Sequence, residues 1–157
     1  MHRTGWRYIL AMIFLGACHC EAIGLAYETA VAPEAWLLRA CMCRFCRTHG
    51  AVTTSDTNGA LELVCRDAEL LTRYRFGFRT ADFWLCRDCG VYLGAATLDG
   101  RAGIINTNAL TDRALPLSQP YPMSYEGETA AARTERRQHR WTPIRPSSHG
   151  VVTIAPK

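Results

Sequence analysis

Cysteine supplies most of the chemistry that this sequence can perform. Seven of its eight cysteines lie in three tight groups: Cys18 and Cys20; Cys41, Cys43 and Cys46; Cys86 and Cys89. Thiols this close along the chain are poorly placed to pair as disulfides, but backbone turns can direct them at one metal ion. We therefore predict metal binding, with a disulfide framework as the alternative. Cys65 stands alone on an alternating segment, and we interpret it as a buried apolar side chain.

The seven grouped thiols divide into one set of four and one set of three. Joining the first group to the last closes a loop of about 65 residues, and such a closure stabilises a small β domain. The middle group is then left as a self-contained trio. Four thiolates close the coordination of a structural zinc ion, whereas three protein ligands leave a position for water or substrate. The trio is therefore the predicted reactive site.

Composition limits the class of protein. The chain has 157 residues, 48% hydrophobic and 20% charged, which suits one globular domain and excludes disorder throughout. No apolar run approaches the roughly 20 residues of a membrane-spanning helix. The formal net charge is +4, and seven thiolates holding two Zn²⁺ ions would lower it by three. We expect neither a membrane nor a nucleic-acid partner.

The N-terminus allows two interpretations. Residues 1–17 resemble a bacterial secretion signal, since Arg3 and Arg7 precede an apolar run and a lipoprotein-like segment ends at Cys18. This interpretation makes the protein an exported, disulfide-linked lipoprotein. The interpretation that we adopt takes Cys18 as a metal ligand and Met12 as a plausible true start, in a cytoplasmic protein.

The segments between the cysteine groups alternate apolar with small or polar residues, which is typical of short strands. Strands are predicted at 23–27, 35–39, 61–65, 70–76, 79–85, 91–98 and 103–110. Turn signals such as Asn58-Gly59 and Asp99-Gly100 separate several of them. The predicted fold class is mostly β, with antiparallel sheets.

Proline marks a change of composition, because six of the seven prolines follow residue 115. We divide the chain into an N-terminal extension at 1–13, a zinc-binding β domain at 14–115, and a Pro-rich C-terminal appendage at 116–157. A short helix is predicted at about 126–141. Its arginines at 133, 136, 137 and 140 share one face, and we interpret this stripe as solvated rather than as an anion contact.

Four motifs follow one another in a fixed order along the chain: Gly-Ala-Cys-His-Cys at 16–20, Cys-x-Cys-x-x-Cys-Arg at 41–47 with His-Gly-Ala at 49–51, Cys-x-x-Cys-Gly at 86–90 and Thr-Leu-Asp at 97–99. This ordered set resembles one known family, the glutathione-dependent formaldehyde-activating (GFA) enzymes, which are grouped with the centromere protein V type of domain. The resemblance covers about residues 14–112. The tail, with Tyr-Glu-Gly-Glu at 125–128 and Trp-Thr-Pro at 141–143, is similar to the end of many bacterial members.

The resemblance implies a GFA-like β-tent, in which small stacked antiparallel sheets surround zinc, and a short C-terminal helix. It implies two Zn²⁺ ions per chain: a structural zinc on Cys18, Cys20, Cys86 and Cys89, and a catalytic zinc on Cys41, Cys43 and Cys46. The implied activity is that of a carbon–sulfur lyase, which joins formaldehyde to glutathione as S-hydroxymethylglutathione. The expected partners are thus a glutathione-like thiol and a small aldehyde. Glu21 and Met42 depart from the family pattern, where Gly and His are common.

Residues beside the trio are further candidates. His49, three residues after Cys46, is a candidate fourth ligand or proton shuttle. Arg44 and Arg47 flank the trio and can attract carboxylates, or can be solvated charges. The competing function is a non-catalytic zinc-binding interaction module, in which His49 or another side chain closes the second site.

Overall fold

The computed structural model describes residues 10–147, and its regular structure is almost entirely strand. The described strands are β1 (Met12–Ala17), β2 (Ile23–Thr29), β3 (Arg39–Cys41), β4 (Thr53–Thr54), β5 (Ala60–Cys65), β6 (Leu71–Tyr74), β7 (Ala81–Cys86), β8 (Tyr92–Thr97), β9 (Ala102–Asn106), β10 (Tyr121–Met123) and β11 (Thr142–Pro143). The described α-helices are α1 (Arg44–Thr48) and α2 (Ala130–Arg140). The mostly β prediction is confirmed.

The strands form two sheets. The smaller sheet has the order β1-β2-β5 and is antiparallel, with Met12 opposite Thr29 and Ile23 opposite Cys65. The larger sheet has the order β10-β3-β4-β9-β8-β7-β6, and β11 pairs with β9 beside this path. All of its pairings are antiparallel except that of β10 with β3.

Side chains alternate between the two faces of the larger sheet, and both faces are covered. Trp84 and Ile105 belong to the main core, together with Ile23 and Tyr27 of the smaller sheet. Their sequence neighbours Phe83 and Ile104 belong to a second cluster with Trp141, just after α2. The smaller sheet therefore packs on one face, and the region of α2 covers the other.

The C-terminal segment is part of the sheet architecture. Strand β10 pairs with β3, and β11 pairs with β9, so the described part of the predicted appendage is integrated with the β domain. The helix predicted at 126–141 is shorter, because Gly127 adopts a φ of 85° and the Thr129 hydroxyl caps Ala132 N–H at 3.1 Å. The end of the appendage, 148–157, lies outside the described residues.

The strand predicted at 35–39 is wrong for most of its length. Pro33 opens a short 3₁₀ turn, Pro33–Ala35, because its fixed φ suits the first helical position. The Trp36 indole N–H then donates to the Val31 carbonyl at 2.9 Å, and regular pairing starts only at Arg39. Buried Trp36 and Leu38 around exposed Leu37 produced the strand-like alternation.

The apolar segment near the N-terminus is a strand where it is described. Met12 to Ala17 pair residue by residue with β2. Within residues 10–147, no helix is both long and apolar enough to cross a membrane. Residues 1–9 of the predicted extension lie outside the described part of the chain.

Strands β8 and β9 approach each other closely at Gly94. A Cβ at this position would overlap the Ile104 carbonyl oxygen and lie 3.2 Å from the Ile105 Cα, both backbone atoms that cannot rotate away. We predict that Gly94→Ala lowers the free energy of unfolding by about 2 kcal/mol or more. Urea denaturation of the purified variant measures this change.

Gly24 in β2 is the matched control, since a Cβ added there would meet its nearest atom, the Gly16 carbonyl oxygen, at an ordinary 3.6 Å. Gly24→Ala should leave stability unchanged or raise it by about 0.5 kcal/mol. Equal losses in the two variants would contradict the close approach of β8 and β9.

Candidate metal centres

Two turns from different sheets bring four cysteines together. Cys18 and Cys20 lie between β1 and β2, while Cys86 ends β7 and Cys89 lies in the turn to β8. The four sulfur atoms all lie within 4.8 Å of one another. The Sγ of Cys20 is 3.6 Å from that of Cys18 and 3.5 Å from that of Cys86. We call this group the four-sulfur site.

These distances fit a metal ion better than a disulfide. A disulfide brings two sulfurs to about 2.05 Å, and all eight cysteines are free thiols. Two sulfurs bound to one tetrahedral zinc ion at about 2.3 Å would be about 3.8 Å apart. The four-sulfur site is therefore compatible with one ion held by four thiolates.

Each turn of the four-sulfur site needs a residue with positive φ after its second cysteine. Gly90 has a φ of 75° and donates its N–H to the Cys86 carbonyl at 2.9 Å. Glu21 has a φ of 59° and donates its N–H to the Cys18 carbonyl at 3.0 Å. A positive φ is unfavourable for a residue that has a Cβ but not for glycine. This explains why glycine would suit the position of Glu21.

The trio forms a second group of sulfur atoms, the three-sulfur site. Cys41 ends β3, Cys43 is the N-cap of α1, and Cys46 lies within α1. Their sulfur atoms lie within 4.8 Å of one another. Cys46 donates its backbone N–H to the Cys43 sulfur at 3.5 Å, and the three residues range from buried at Cys46 to exposed at Cys43.

Crowding shifts the pKa values of Cys41 and Cys46 in opposite directions. The hydrogen bond from Cys46 lowers the pKa of Cys41 to about 6, although burial opposes this, and the Cys43 N–H adds to the effect. The same hydrogen bond, burial and the neighbouring thiolates raise the pKa of Cys46. Cys41 therefore loses its proton readily at neutral pH, whereas Cys46 keeps its proton unless a cation neutralises the charge.

The three-sulfur site has no fourth protein ligand among residues 10–147. No other His, Cys, Asp or Glu there brings a ligand atom into the 4.8 Å group. The His49 ring packs 4.5 Å from Phe45 and 5.6 Å from Tyr92, measured between centroids, and lines a different cavity from the trio. This placement does not bring His49 to the site as a ligand, and its role as a proton shuttle stays a prediction.

A cavity of about 290 Å³ opens beside the three-sulfur site. All three cysteines line it, and aromatic and arginine side chains form much of its remaining wall. Phe83, Tyr92 and Trp141 contribute aromatic surface. Four arginines, Arg39, Arg133, Arg136 and Arg137, contribute positive charge, and we call this cavity the arginine pocket.

Tyr92 places a phenol next to the three sulfurs. Burial raises its pKa far above the ordinary value, and negative charge on the three cysteines raises it further. The phenol therefore keeps its proton at neutral pH and can act only as a neutral O–H group there. Sequence reasoning missed this residue, since Tyr92 has the pattern of an ordinary residue in a buried strand.

The interpretation of the α2 arginines as a solvated face is wrong for three of them. The Glu128 carboxylate accepts from Arg133 Nε at 3.1 Å and from Arg136 Nε at 2.6 Å, while Arg137 is 8% exposed. Only Arg140 of the stripe is exposed. The regular spacing of these arginines showed that they share one face of the helix. It did not show whether that face is buried or exposed to solvent.

Three other residues that the sequence singled out lie away from the arginine pocket. Arg44 and Arg47 are exposed and do not line it. Cys65 is 1% exposed and belongs to neither sulfur group, so its interpretation as a buried apolar side chain is confirmed.

The positive φ at Glu21 yields a stability prediction. Glu21→Gly should raise the free energy of unfolding of the metal-loaded protein by about 0.5–1 kcal/mol, because glycine adopts this conformation without strain. Glu21→Ala removes the same exposed carboxylate but keeps a Cβ, so it should bring no gain. Urea denaturation distinguishes the two, and equal stabilisation by both variants would assign the effect to charge instead.

Comparison with known proteins identifies a relative of known structure. No family model and no curated protein matches the chain. A crystal structure of a protein from Rhodobacter sphaeroides is 33% identical, with a TM-score of 0.54, and the match covers 69% of this chain and 99% of that one. The name of that protein states no function. At this identity and over nearly its full length, the chain belongs to the same family as the Rhodobacter sphaeroides protein.

Proposed function

We propose that this protein is a zinc-dependent carbon–sulfur lyase of the GFA family, which adds a thiol to formaldehyde or another small aldehyde. One observation carries the proposal: three sulfur ligands gather at the wall of a pocket, and no fourth protein ligand joins them within the described residues. Three protein ligands with an accessible position are the arrangement of catalytic zinc sites, whereas four are typical of structural ones.

The assignment to the GFA family is supported by several features together. The cysteine motifs have the order and spacing that the family resemblance requires. They gather into a group of four and a group of three, and two β-sheets carry them. The four-sulfur site would be structural, since it joins the β1–β2 turn of one sheet to the β7–β8 turn of the other.

Zinc is the proposed metal because both donor sets consist of sulfur alone. Soft thiolate ligands select Zn²⁺, Cu⁺ and iron–sulfur clusters over Mg²⁺ or Ca²⁺. The three-sulfur site would hold its ion through Cys41, Cys43 and Cys46. When bound there, the ion would favour the thiolate form of an incoming thiol, and so supply a nucleophile at neutral pH.

The reaction needs no oxidant or reductant. The thiol sulfur bonds to the carbonyl carbon, the π electrons of the C=O bond move to oxygen, and that oxygen takes up a proton in place of the one that the thiol loses. The product is a hemithioacetal. Tyr92 keeps its O–H beside the three sulfurs and would donate it as a hydrogen bond to the aldehyde oxygen. The aromatic walls would hold the two reactants together away from bulk water.

The two sites should respond differently to loss of a ligand. We predict two zinc ions per chain in the reduced protein, measured by plasma mass spectrometry. Cys43→Ser should lower the content towards one and leave the fold intact, because Cys43 is the most exposed of the trio. Cys20→Ser should lower Tm by about 10 °C, since it weakens the link between the sheets. A protein that binds no zinc under reducing conditions would contradict both assignments.

The activity should depend on the trio. We predict that the zinc-loaded protein accelerates adduct formation between glutathione and formaldehyde, measured by exchange NMR against the uncatalysed rate, and that Cys43→Ser loses at least about 10-fold of this acceleration. Cys65→Ala is the matched control, because it removes a thiol that lies outside both groups. It should retain the activity.

The outcome also decides between the enzyme and the interaction module. Two bound zinc ions without any acceleration, over a panel of small thiols and aldehydes, would reject the lyase and leave the module. Acceleration that survives in Cys43→Ser would show that the three-sulfur site is not where the reaction occurs.

A further inference from the structure

Building on the proposed function, we propose that the aldehyde substrate is larger than formaldehyde: it carries an apolar substituent of about the size of an aromatic ring, which Phe76 and Phe83 bind in the arginine pocket. The inference deepens the proposed function by naming the class of aldehyde and the residues that select it. It depends on the free surface of the two rings, on the way in which the chain holds them, and on the size of the pocket.

Phe76 and Phe83 present apolar surface to the arginine pocket. Both side chains are partly exposed, and both line the cavity that the trio also lines. Their ring centroids are 4.6 Å apart and their planes are inclined by 45°, so the two rings form one continuous apolar surface. A ligand group that removes such surface from water is stabilised in proportion to the area that it covers.

The other aromatic side chains of the pocket are less available to a ligand. Tyr92 and Trp141 are buried. Tyr125 is partly exposed, but the guanidinium carbon of Arg136 lies 3.8 Å from the centre of its ring and covers one face. The apolar group is therefore assigned to Phe76 and Phe83.

A further ring, which does not line the pocket, supports these two. The centroid of Phe45 lies 4.9 Å from that of Phe76, 5.0 Å from that of Phe83 and 5.1 Å from that of Tyr92. Phe45 directly precedes Cys46 in α1, so the aromatic cluster extends as far as the trio. These distances are favourable for aromatic pairs, and they hold the two pocket rings close to the three-sulfur site.

Phe76 lies at the start of the turn that joins β6 to β7. Its carbonyl accepts the Arg79 N–H at 3.0 Å, and Gly77 supplies a φ of 58° at the second position, as tight hairpin turns require. Arg75 forms an ion pair with Asp82 of β7 across the base of the turn. The hairpin thus presents Phe76 to the pocket from a fixed backbone.

Two observations show that this turn serves the pocket rather than the core. Phe76 belongs to none of the buried core clusters of the described chain. Phe78 contacts α2 through Arg133, whose guanidinium carbon lies 5.1 Å from the centre of the Phe78 ring, so the turn is also held from the arginine side. A large apolar side chain that the core does not use, beside a cavity, is suited to an apolar ligand.

The pocket has more room than formaldehyde needs. Its volume is about 290 Å³. A water molecule takes about 30 Å³ in the liquid, and formaldehyde has only two non-hydrogen atoms, each of about that size. Most of the volume therefore remains for the reactive end of the thiol and for a substituent on the aldehyde.

The ligand-side test uses the zinc-loaded protein, glutathione as the common thiol, and two aldehydes. Phenylacetaldehyde differs from acetaldehyde by one phenyl group. We compare kcat/KM for adduct formation after dividing each value by the uncatalysed rate constant of the same aldehyde, which removes the difference in carbonyl reactivity. The ratio should be at least about 10-fold higher for phenylacetaldehyde, as expected for an apolar group that enters an apolar site. Equal ratios would overturn the proposal without any change to the protein.

The protein-side test compares two phenylalanines of the same turn. Phe76→Leu removes a ring from the pocket wall and should lower the preference for phenylacetaldehyde by about 2- to 10-fold. Phe78→Leu is the matched control, because the same change falls on a side chain that does not line the pocket, and it should preserve the preference. Phe76→Tyr keeps a ring and should also preserve it. A purely structural Phe76 would slow both aldehydes alike in Phe76→Leu and leave the preference unchanged.

Binding of an unreactive alcohol separates this inference from the proposed function. 2-Phenylethanol cannot form an adduct, and NMR titration should show that it binds more tightly than ethanol and that Phe76→Leu weakens its binding. Selective binding of 2-phenylethanol without acceleration of any aldehyde supports the apolar subsite, and the lyase assignment then fails alone. Equal acceleration of both aldehydes, with no preference for 2-phenylethanol over ethanol, supports the lyase and overturns the subsite.

Discussion

The structure depends on one electrostatic constraint: sulfur atoms that are crowded within 4.8 Å of one another cannot all become thiolates without a cation among them. At the four-sulfur site, the crowded atoms come from turns of two different sheets. The ion that they would hold therefore joins parts of the chain that are 66 residues apart, such as Cys20 and Cys86. The main core lies between those sheets, so this junction links the two layers that enclose it.

The same constraint on crowded thiols applies at the three-sulfur site, on the other face of the larger sheet. Here β3 and α1 gather three sulfurs, and α2 contributes arginines to the pocket beside them. Negative charge on the thiolates and positive charge on the helix thus meet across one small pocket. Glu128 fixes two of the arginines and leaves Arg137 without a carboxylate partner in the described chain.

The sequence predicted the features that depend on local spacing. The trio lies in one turn of six residues, and each half of the four-sulfur site lies in a turn of three or four residues, although the two halves are 66 residues apart. Most strands follow from alternation around side chains such as Ile23 and Trp84. Features that depend on distant partners were not predictable in this way. Spacing could show that Arg133, Arg136 and Arg137 share a helix face, but only contacts with Thr80 and Glu128 decide that this face is turned inward. The pairing of β10 with β3 is similarly non-local, as is the position of Tyr92 beside cysteines some fifty residues earlier.

The central claim is that the trio holds an ion whose remaining position accepts sulfur from outside the chain. A diffraction map at the zinc absorption edge, from crystals soaked with glutathione, tests it most directly. Our account predicts two peaks, the second surrounded by the sulfurs of Cys41, Cys43 and Cys46 and by a fourth sulfur from the soaked thiol. A second peak whose fourth ligand is a side chain of this protein, or the lack of any peak at the trio, would contradict the account.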